Sequence, residues 1–409
     1  MTTSTFISSI YSLYSGMCRN GDSPGRGWPA TGQTCRPILQ KFRKPAGLLA
    51  LPVLALYLAG CAQMGPELVK AGRNDYNIIL QQTEDEEAIL NLVRVRYGDR
   101  PLFLDVSNVS TSFTWTQGSS VQGTLFDKRG NEFQRNNIGM RGSLEYTERP
   151  TITYTPLGGK DFVRSILTPA DLDSLVLLSN SGWSIERLLR LMVNTMNGLP
   201  NAPSASGPTP FDPPVYEDFR QAASLMRQLQ KQGALRLGYQ EAEGKGVPVV
   251  TIARRARDWE QTLQLKKMLG LDPGLDVYTL DTKGNLPRGD AIGLELRSLL
   301  GTFYFVSHGV EVPVRDSHRG HATMTTGDDG KPFDWSSVVG DLVNIRSTAT
   351  EPDADTARVA IRYRGSWFYI DDSDANTKYT LLLLEQLAAL LGGKVEKAGP
   401  LLTLPVSAP

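Results

Sequence analysis

The stretch Arg358–Leu391, RVAIRYRGSWFYIDDSDANTKYTLLLLEQLAALL, contains two strand patterns and one helix pattern in immediate succession. Arg358–Tyr363 and Trp367–Ile370 are rich in β-branched and aromatic residues, and Gly365 between them supplies the tight turn of a hairpin. The helix Asp374–Leu391 follows at once, after aspartates whose side-chain oxygens can cap its first turn. A hairpin followed directly by a long helix is typical of the α+β class, and we predict that class for the chain.

The same mixture of helices and hairpins continues through the second half of the chain, residues 215–409. The units 215–285 and 290–405 each read helix, strands, helix, strand, which indicates an internal duplication despite low residue identity between them. The first helix of the second unit is predicted over Ala291–Val306. The polar, glycine-rich segment His308–Trp335 that follows it is predicted to form a loop.

The first half, residues 61–200, is predicted to combine helices with a small antiparallel sheet. Its clearest helix is Ser184–Asn197, whose apolar residues recur at the i, i+3, i+4 and i+7 spacing of one helix face. The proline-rich segment 201–214 is predicted to be a linker between this α+β domain and a second one, 215–409. The sheet is predicted from five short strand patterns punctuated by glycines: Leu102–Val106, Ser110–Thr116, Val121–Phe126, Met140–Tyr146 and Thr151–Tyr154.

The N-terminal region has the layout of a lipoprotein signal peptide. Three basic residues within Lys41–Lys44 precede the 15-residue apolar run Ala46–Gly60, which is too short to remain as a membrane-spanning helix. The run ends in Leu58-Ala59-Gly60-Cys61, which resembles the lipobox of bacterial lipoproteins. That resemblance implies that the signal peptide 41–60 is cut between Gly60 and Cys61, and that Cys61 is acylated.

The residue after the cleavage site bears on the predicted location, and the residues before the signal peptide bear on the start of translation. Position 62 is Ala. In lipoproteins, Asp at this position favours retention in the inner membrane. The resemblance therefore implies an anchor in the outer membrane, with the body facing the periplasm. Residues 1–40 precede the basic segment and are predicted to be an extension from a mis-assigned start, with translation beginning near Leu39.

The processed chain is mildly acidic and keeps a single cysteine. From Cys61 onward it contains 37 Lys and Arg residues against 42 Asp and Glu residues, which argues against a nucleic-acid partner. Cleavage removes Cys18 and Cys35, so we expect neither a disulfide nor a free thiol nucleophile.

Motifs for catalysis or metal binding are weak. Asp316, His318 and His321 place a carboxylate and two imidazoles within DSHRGH, which are side chains of the kind that zinc binds. Arg319 between them repels a cation and the spacing differs from HExxH, so a solvated loop explains the same residues. We predict no catalytic residue and no cofactor. A pair of glycan-cleaving carboxylates stays open, because such pairs are defined by distance in space.

Arginines and aromatic residues recur in two segments and form a candidate interaction surface. Arg94 and Arg96 lie near the end of a predicted helix that begins at the capping pattern Thr83–Glu86 and ends at Gly98. Arg364, Trp367 and Tyr369 mark the late hairpin. Arginine together with Trp and Tyr is the composition of interface hot spots. Surface arginines beside ordinary core aromatics would give the same pattern.

Three segments resemble lipoproteins from the envelope of Gram-negative bacteria. They are Asn91–Val106 (NLVRVRYGDRPLFLDV), Arg149–Leu167 (RPTITYTPLGGKDFVRSIL) and Tyr363–Asp372 (YRGSWFYIDD). The three segments are spread from residue 91 to residue 372, which suggests that the resemblance covers nearly the whole processed chain. The resemblance implies a location and adds no activity.

These observations favour a lipid-anchored periplasmic component that binds or assembles within a cell-envelope complex, without catalysis. Its expected partners are the membrane, through the anchor, and envelope proteins. The alternative is an anchored envelope hydrolase that cleaves glycan with carboxylates. A cleft with two carboxylates or a pair of histidines would favour the enzyme, and an exposed patch of arginine and aromatic residues would favour the binding component.

Overall fold

The computed structural model describes residues 64–124, 137–208, 212–242, 244–282, 287–327, 329–391 and 402–405. The predicted cleavage and lipidation residues Gly60 and Cys61, and the whole signal region, lie outside these residues. The contacts divide the chain into residues 1–71, of which 64–71 are helical, and residues 72–409. Among the described residues, none of the helices combines the length and the apolar character that a membrane crossing needs.

The helices and strands follow one another throughout the described chain. The helices are α1 (Met64–Arg96), α2 (Gly159–Leu167), α3 (Leu172–Asn180), α4 (Ile185–Met192), α5 (Glu217–Lys231), α6 (Glu260–Leu269), α7 (Leu299–Ser307), α8 (Val314–His318), α9 (Ser336–Val339) and α10 (Ala375–Leu391). The strands are β1 (Phe103–Thr124), β2 (Asn137–Leu157), β3 (Val193–Met196), β4 (Leu199–Pro200), β5 (Leu235–Ala242), β6 (Lys245–Ile252), β7 (Val277–Asp281), β8 (Ala291–Leu296), β9 (Arg346–Thr348), β10 (Ala357–Tyr363), β11 (Ser366–Asp371) and β12 (Leu402–Pro405). This content confirms the α+β prediction.

A six-stranded sheet in the order β4-β3-β8-β7-β6-β5 lies in the main core. Its neighbours are antiparallel except β7 and β8, which are parallel. Strands β3 and β4 precede the proline-rich segment 201–214 and the other four follow it. One cluster of buried apolar side chains also includes residues from both sides, from Ile89 to Leu387. The segment predicted as a linker therefore lies between strands of one sheet and does not separate two cores.

The strands of the first half are longer than the sequence patterns indicated. Instead of five short strands, β1 and β2 form one hairpin whose register runs from Phe103 opposite Leu157 to Thr124 opposite Asn137. Four of the five glycines that were interpreted as boundaries, Gly118, Gly123, Gly139 and Gly142, pair within the ladder, and the fifth, Gly130, lies outside the described residues. Glycine weakens a strand without ending it, so these positions did not mark turns. Strand β12 adds a third strand beside β2.

Two predicted helices are wrong at one end. Ser184–Asn197 contains α4 followed directly by β3, and Ala291–Val306 contains β8 followed by α7. The apolar residues are buried as expected. Those in β3 and β8, however, belong to paired strands and not to a helix. Pairing between distant segments overrides local periodicity here.

The decisive stretch near the C-terminus has the predicted order of elements. Strands β10 and β11 form a hairpin whose turn is Arg364-Gly365, β9 pairs with the free side of β11, and α10 follows. The two units of the proposed repeat differ both in the order of their elements, since the second unit begins with β8, and in strand pairing. Strand β7 lies beside β6 of its own unit, whereas β12 pairs with β2 of the first half.

Candidate functional site

The Arg96 pocket, named after the cation in its wall, opens beside the C-terminal end of α1 and has a volume of about 670 Å³. This volume falls within the range of about 300–1,000 Å³ that is usual for small-molecule sites. The lining residues that determine its chemistry are Arg96, His308, Glu311, Asp334, Trp335 and Asp341.

Backbone packing brings His308 to the pocket wall. His308 follows the last residue of α7, and the next residues form a short parallel bridge in which the amide of Ile345 donates to the Gly309 carbonyl at 2.9 Å. A Cβ at Gly309 would lie 2.5 Å from Val343 Cγ1 and 2.6 Å from the Val343 carbonyl oxygen. Only glycine permits this close approach, which fixes the direction in which His308 leaves the helix.

The imidazole of His308 stacks on the indole of Trp335. The ring centroids are 3.8 Å apart with an angle of 13° between the planes, and the Trp335 Nε1 donates to Thr325 Oγ1 at 3.1 Å. His308 is only 8% exposed, and its Nδ1 has no hydrogen-bond partner among the described residues. Burial, and then the charge of Arg96, lower the pKa of His308 to about 3, so the imidazole is neutral at physiological pH.

Arg96 contributes the positive charge of the pocket. Its Nη1 donates to the carbonyl of Thr323 at 2.7 Å, while its Nε is buried and has no partner among the described residues. Burial lowers the pKa of Arg96, an effect that Tyr97 opposes, and no carboxylate contributes to the shift. The described surroundings therefore leave this guanidinium without a counter-ion.

Three carboxylates line the outer part of the pocket, and each already accepts hydrogen bonds from the protein. Glu311 accepts from the amide of Ser347 at 2.9 Å, and Asp334 accepts from the amide of Ser336 at 2.9 Å. Asp341 accepts two hydrogen bonds from Arg190, both at 2.6 Å. Burial opposes ionisation of Asp341, but the hydrogen bond and charge of Arg190 outweigh it and lower the pKa.

The predicted metal candidate lies beside Tyr97, the residue that follows Arg96. Asp316 is 2% exposed, accepts a hydrogen bond from the Tyr97 hydroxyl at 2.8 Å and another from Arg315 Nε at 3.1 Å. His321 Nδ1 is 3.6 Å from the same carboxylate, and His318 is exposed. Burial alone would raise the pKa of Asp316, yet these hydrogen bonds keep it below its usual value. No group of three His, Cys, Asp or Glu side chains in the described chain is arranged to hold a metal ion.

The two segments of the predicted interaction surface meet at Asp99, just after α1. Arg364 donates to Asp99 at 2.7 Å and lies over the ring of Tyr97, with its guanidinium carbon 5.2 Å from the ring centroid. Arg364 has a φ of +47°, and these contacts hold it in that strained turn conformation. Tyr363 also donates to Asp99, which lowers the pKa of Asp99.

The remaining residues of that surface have separate surroundings. Arg94 donates to Asn91 Oδ1 at 3.3 Å on α1. Trp367 and Tyr369 are half-buried and share one face of β11, opposite the fully buried Phe368 and Ile370. Their role in binding a partner stays a prediction, whereas Arg96 proves to be a pocket residue.

Sequence reasoning missed His308 and Trp335, which lie at opposite ends of the segment predicted as a polar loop. The segment instead contains α8 and buried residues, among them Ala322 and Thr325. A tryptophan in a polar stretch was a usable signal, because a side chain of that size usually needs a packing partner.

The low pKa of His308 predicts a loss of stability in acid. The pKa is about 3 in the folded chain and 6.5 when exposed, so the unfolded chain binds a proton that the folded chain does not. His308 does not lower the free energy of unfolding above about pH 6.5. Below that pH the free energy of unfolding falls by about 1.4 kcal/mol per pH unit, or by about 2–3 kcal/mol at about pH 4.5. Urea unfolding of the processed chain at both pH values measures this loss.

His308→Gln should lack that part of the acid sensitivity, and His318→Gln, which changes an exposed histidine, should retain it. Equal acid sensitivity in the wild type and His308→Gln would contradict the burial argument.

No family model matches the chain, and neither a curated protein nor a solved structure is similar to it.

Proposed function

We propose that this protein is a lipid-anchored binding component of the cell envelope, held to the outer membrane at Cys61, and that the Arg96 pocket is its binding site. The basic segment, the short apolar run and the sequence Leu58-Ala59-Gly60-Cys61 support the anchor. We further propose that the body faces the periplasm and works within a complex of envelope proteins.

One observation carries the binding role. The pocket wall contains Arg96, whose charge no described carboxylate neutralises, and His308, whose buried Nδ1 has no partner among the described residues, while the three carboxylates of the pocket are already hydrogen-bonded. An imidazole with a pKa of about 3 exchanges no proton near neutral pH, so His308 is a poor general base. The pocket is suited to hold a ligand rather than to transform it.

A specific observation keeps the hydrolase as the second candidate. Asp85 and Glu385 line a separate pocket of about 200 Å³, where Arg358 contacts Asp85 at 3.0 Å. Burial, and then the negative charge of Asp85, raise the pKa of Glu385. A carboxyl group with a raised pKa beside a second carboxylate is the arrangement that glycosidases use.

Photo-crosslinking in cells tests the binding role. A photoreactive phenylalanine analogue replaces Val312 in the pocket wall, and the matched control replaces Val314, which is 71% exposed and outside the pocket. We expect a light-dependent adduct at position 312 that is absent at position 314. Equal labelling at the two positions, or none at 312, would count against the pocket as the binding site.

A glycan-release assay tests the alternative. We expect the purified chain to release no more fragments from envelope glycan than the Glu385→Gln variant does. Release by the wild type that disappears in Glu385→Gln would establish the hydrolase instead.

A further inference from the structure

The Arg96 pocket contains a cation whose charge nothing in the described chain neutralises. A half-buried guanidinium without a counter-ion is unfavourable, because burial removes part of its hydration and no carboxylate replaces that hydration. An anion that reaches Arg96 would restore that interaction. Arginine binds carboxylates especially well, since its planar group can donate two parallel hydrogen bonds. His308 lies in the same wall, and its buried Nδ1 also has no hydrogen-bond partner among the described residues.

The outer carboxylates limit how much negative charge a ligand can carry. Glu311 and Asp334 are exposed, and Asp341 is partly exposed with its charge compensated by Arg190. One positive charge within the pocket and carboxylates at its opening favour a ligand that carries a single negative charge. A dianion such as a phosphate monoester would meet repulsion at the opening that the one guanidinium does not offset.

The rest of the wall is apolar. Phe333 packs edge-on against Trp335 with ring centroids 5.3 Å apart, and Val310, Val312 and Met324 also line the pocket. Contact between this wall and an apolar group of the ligand removes apolar surface from water, which favours binding. Charge and apolar contact are therefore both available to one small molecule.

We propose that the Arg96 pocket binds an amphipathic monocarboxylate, with the carboxylate at Arg96 and His308 and the apolar part against Phe333 and Trp335. The proposal rests on the binding function argued above and names the class of its ligand. A free organic acid and the C-terminal carboxylate of a peptide share this chemistry, so the test includes both.

Calorimetric titration of the processed full chain in detergent tests the ligand class. The probes are 3-phenylpropionate for the free acid, N-acetylphenylalanine for a peptide end, 3-phenylpropanamide as the uncharged match and phenyl phosphate as the dianion. We expect at least one of the two carboxylates to bind about tenfold or more tightly than the amide and the phosphate, as a charge-assisted hydrogen bond provides. The tighter of the two carboxylates identifies the source.

Variants separate recognition from folding. Arg96→Met should weaken carboxylate binding by about tenfold or more, and Arg96→Lys should bind with intermediate affinity because it keeps the charge but loses the paired donors. Arg94→Met is the matched control, since Arg94 lies on the same helix and outside the pocket. The melting temperature of Arg96→Met without ligand should change little, because the loss of the hydrogen bond to the Thr323 carbonyl is offset by removal of a half-buried charge that has no counter-ion.

Several results would overturn the proposal. They are equal affinity for acid and amide, unchanged binding by Arg96→Met, tighter binding of phenyl phosphate, and no binding by any probe. The crosslink at position 312 does not depend on ligand charge. An adduct there with no carboxylate preference would reject the ligand class and keep the binding function, and its absence would reject both.

Discussion

Cys61→Ser is expected to abolish incorporation of labelled palmitate and to remove the protein from the outer-membrane fraction. A serine hydroxyl is not a substrate for thioether acylation, and without acylation the cut before residue 61 does not follow. Each buried methylene contributes about 0.8 kcal/mol, so two or three acyl chains give an effectively permanent anchor that the variant lacks entirely. Metabolic labelling and fractionation of membranes measure both changes.

The chain offers matched controls for this experiment. Cys18→Ser and Cys35→Ser change thiols that the predicted cleavage removes, so both should label and fractionate as the wild type does. Ala62→Asp should keep the label and move to the inner membrane. Palmitate retained by Cys61→Ser, or lost in Cys35→Ser, would reject the proposed anchor.

Arg297→Met is expected to lower the free energy of unfolding by about 3–5 kcal/mol, because it removes four hydrogen bonds from a buried network, among them the one that the Asn201 carbonyl accepts. Arg297 is 1% exposed and its guanidinium carbon lies 4.0 Å from the centroid of Phe305. Burial lowers its pKa to about 9, so it stays charged at neutral pH. Its donors reach the carbonyls of Arg190 at 2.8 Å, Leu191 at 3.3 Å and Asn201, and the hydroxyl of Ser206 at 2.7 Å.

These acceptors explain why the side chain matters. Two of the carbonyls belong to the end of α4, and the other two partners belong to the loop after β4. Methionine keeps an apolar side chain at this position and avoids burying a charge, but it donates a hydrogen bond to none of the four oxygens.

Arg255→Met is the control for Arg297→Met. Arg255 also donates to two carbonyls, those of Gln232 and Gly233, but it is exposed, so water can replace it. Its loss should be below about 1 kcal/mol by urea unfolding. Equal losses in the two variants would show that burial is not the cause.

Local signals were sufficient where neighbouring elements pair with each other. The late hairpin and α10 were predictable because Gly365 sets a two-residue turn and the strands meet directly across it. The ends of α4 and β8 were not, because β3 and β8 come together across nearly a hundred intervening residues. A helical periodicity and a short apolar strand give the same pattern over four residues.

The candidate site was predictable in part for the same reason. Arg96 and Asp316 stood out as residue types, yet the sequence placed Arg96 on a surface and Asp316 in a metal set. Their actual surroundings depend on Thr323 and Tyr97, which are brought close only by the fold. The stack of His308 on Trp335 depends likewise on the course of the segment between them.

The pairing of β12 with β2 has a consequence for biogenesis. Residues 402–405 follow every other described element, and they lie opposite Thr151–Tyr154 of the long hairpin. Synthesis from the N-terminus delivers the hairpin well before its third strand. The edge of β2 therefore stays open until those residues arrive, and an open edge is the part of a nascent chain most prone to aggregation.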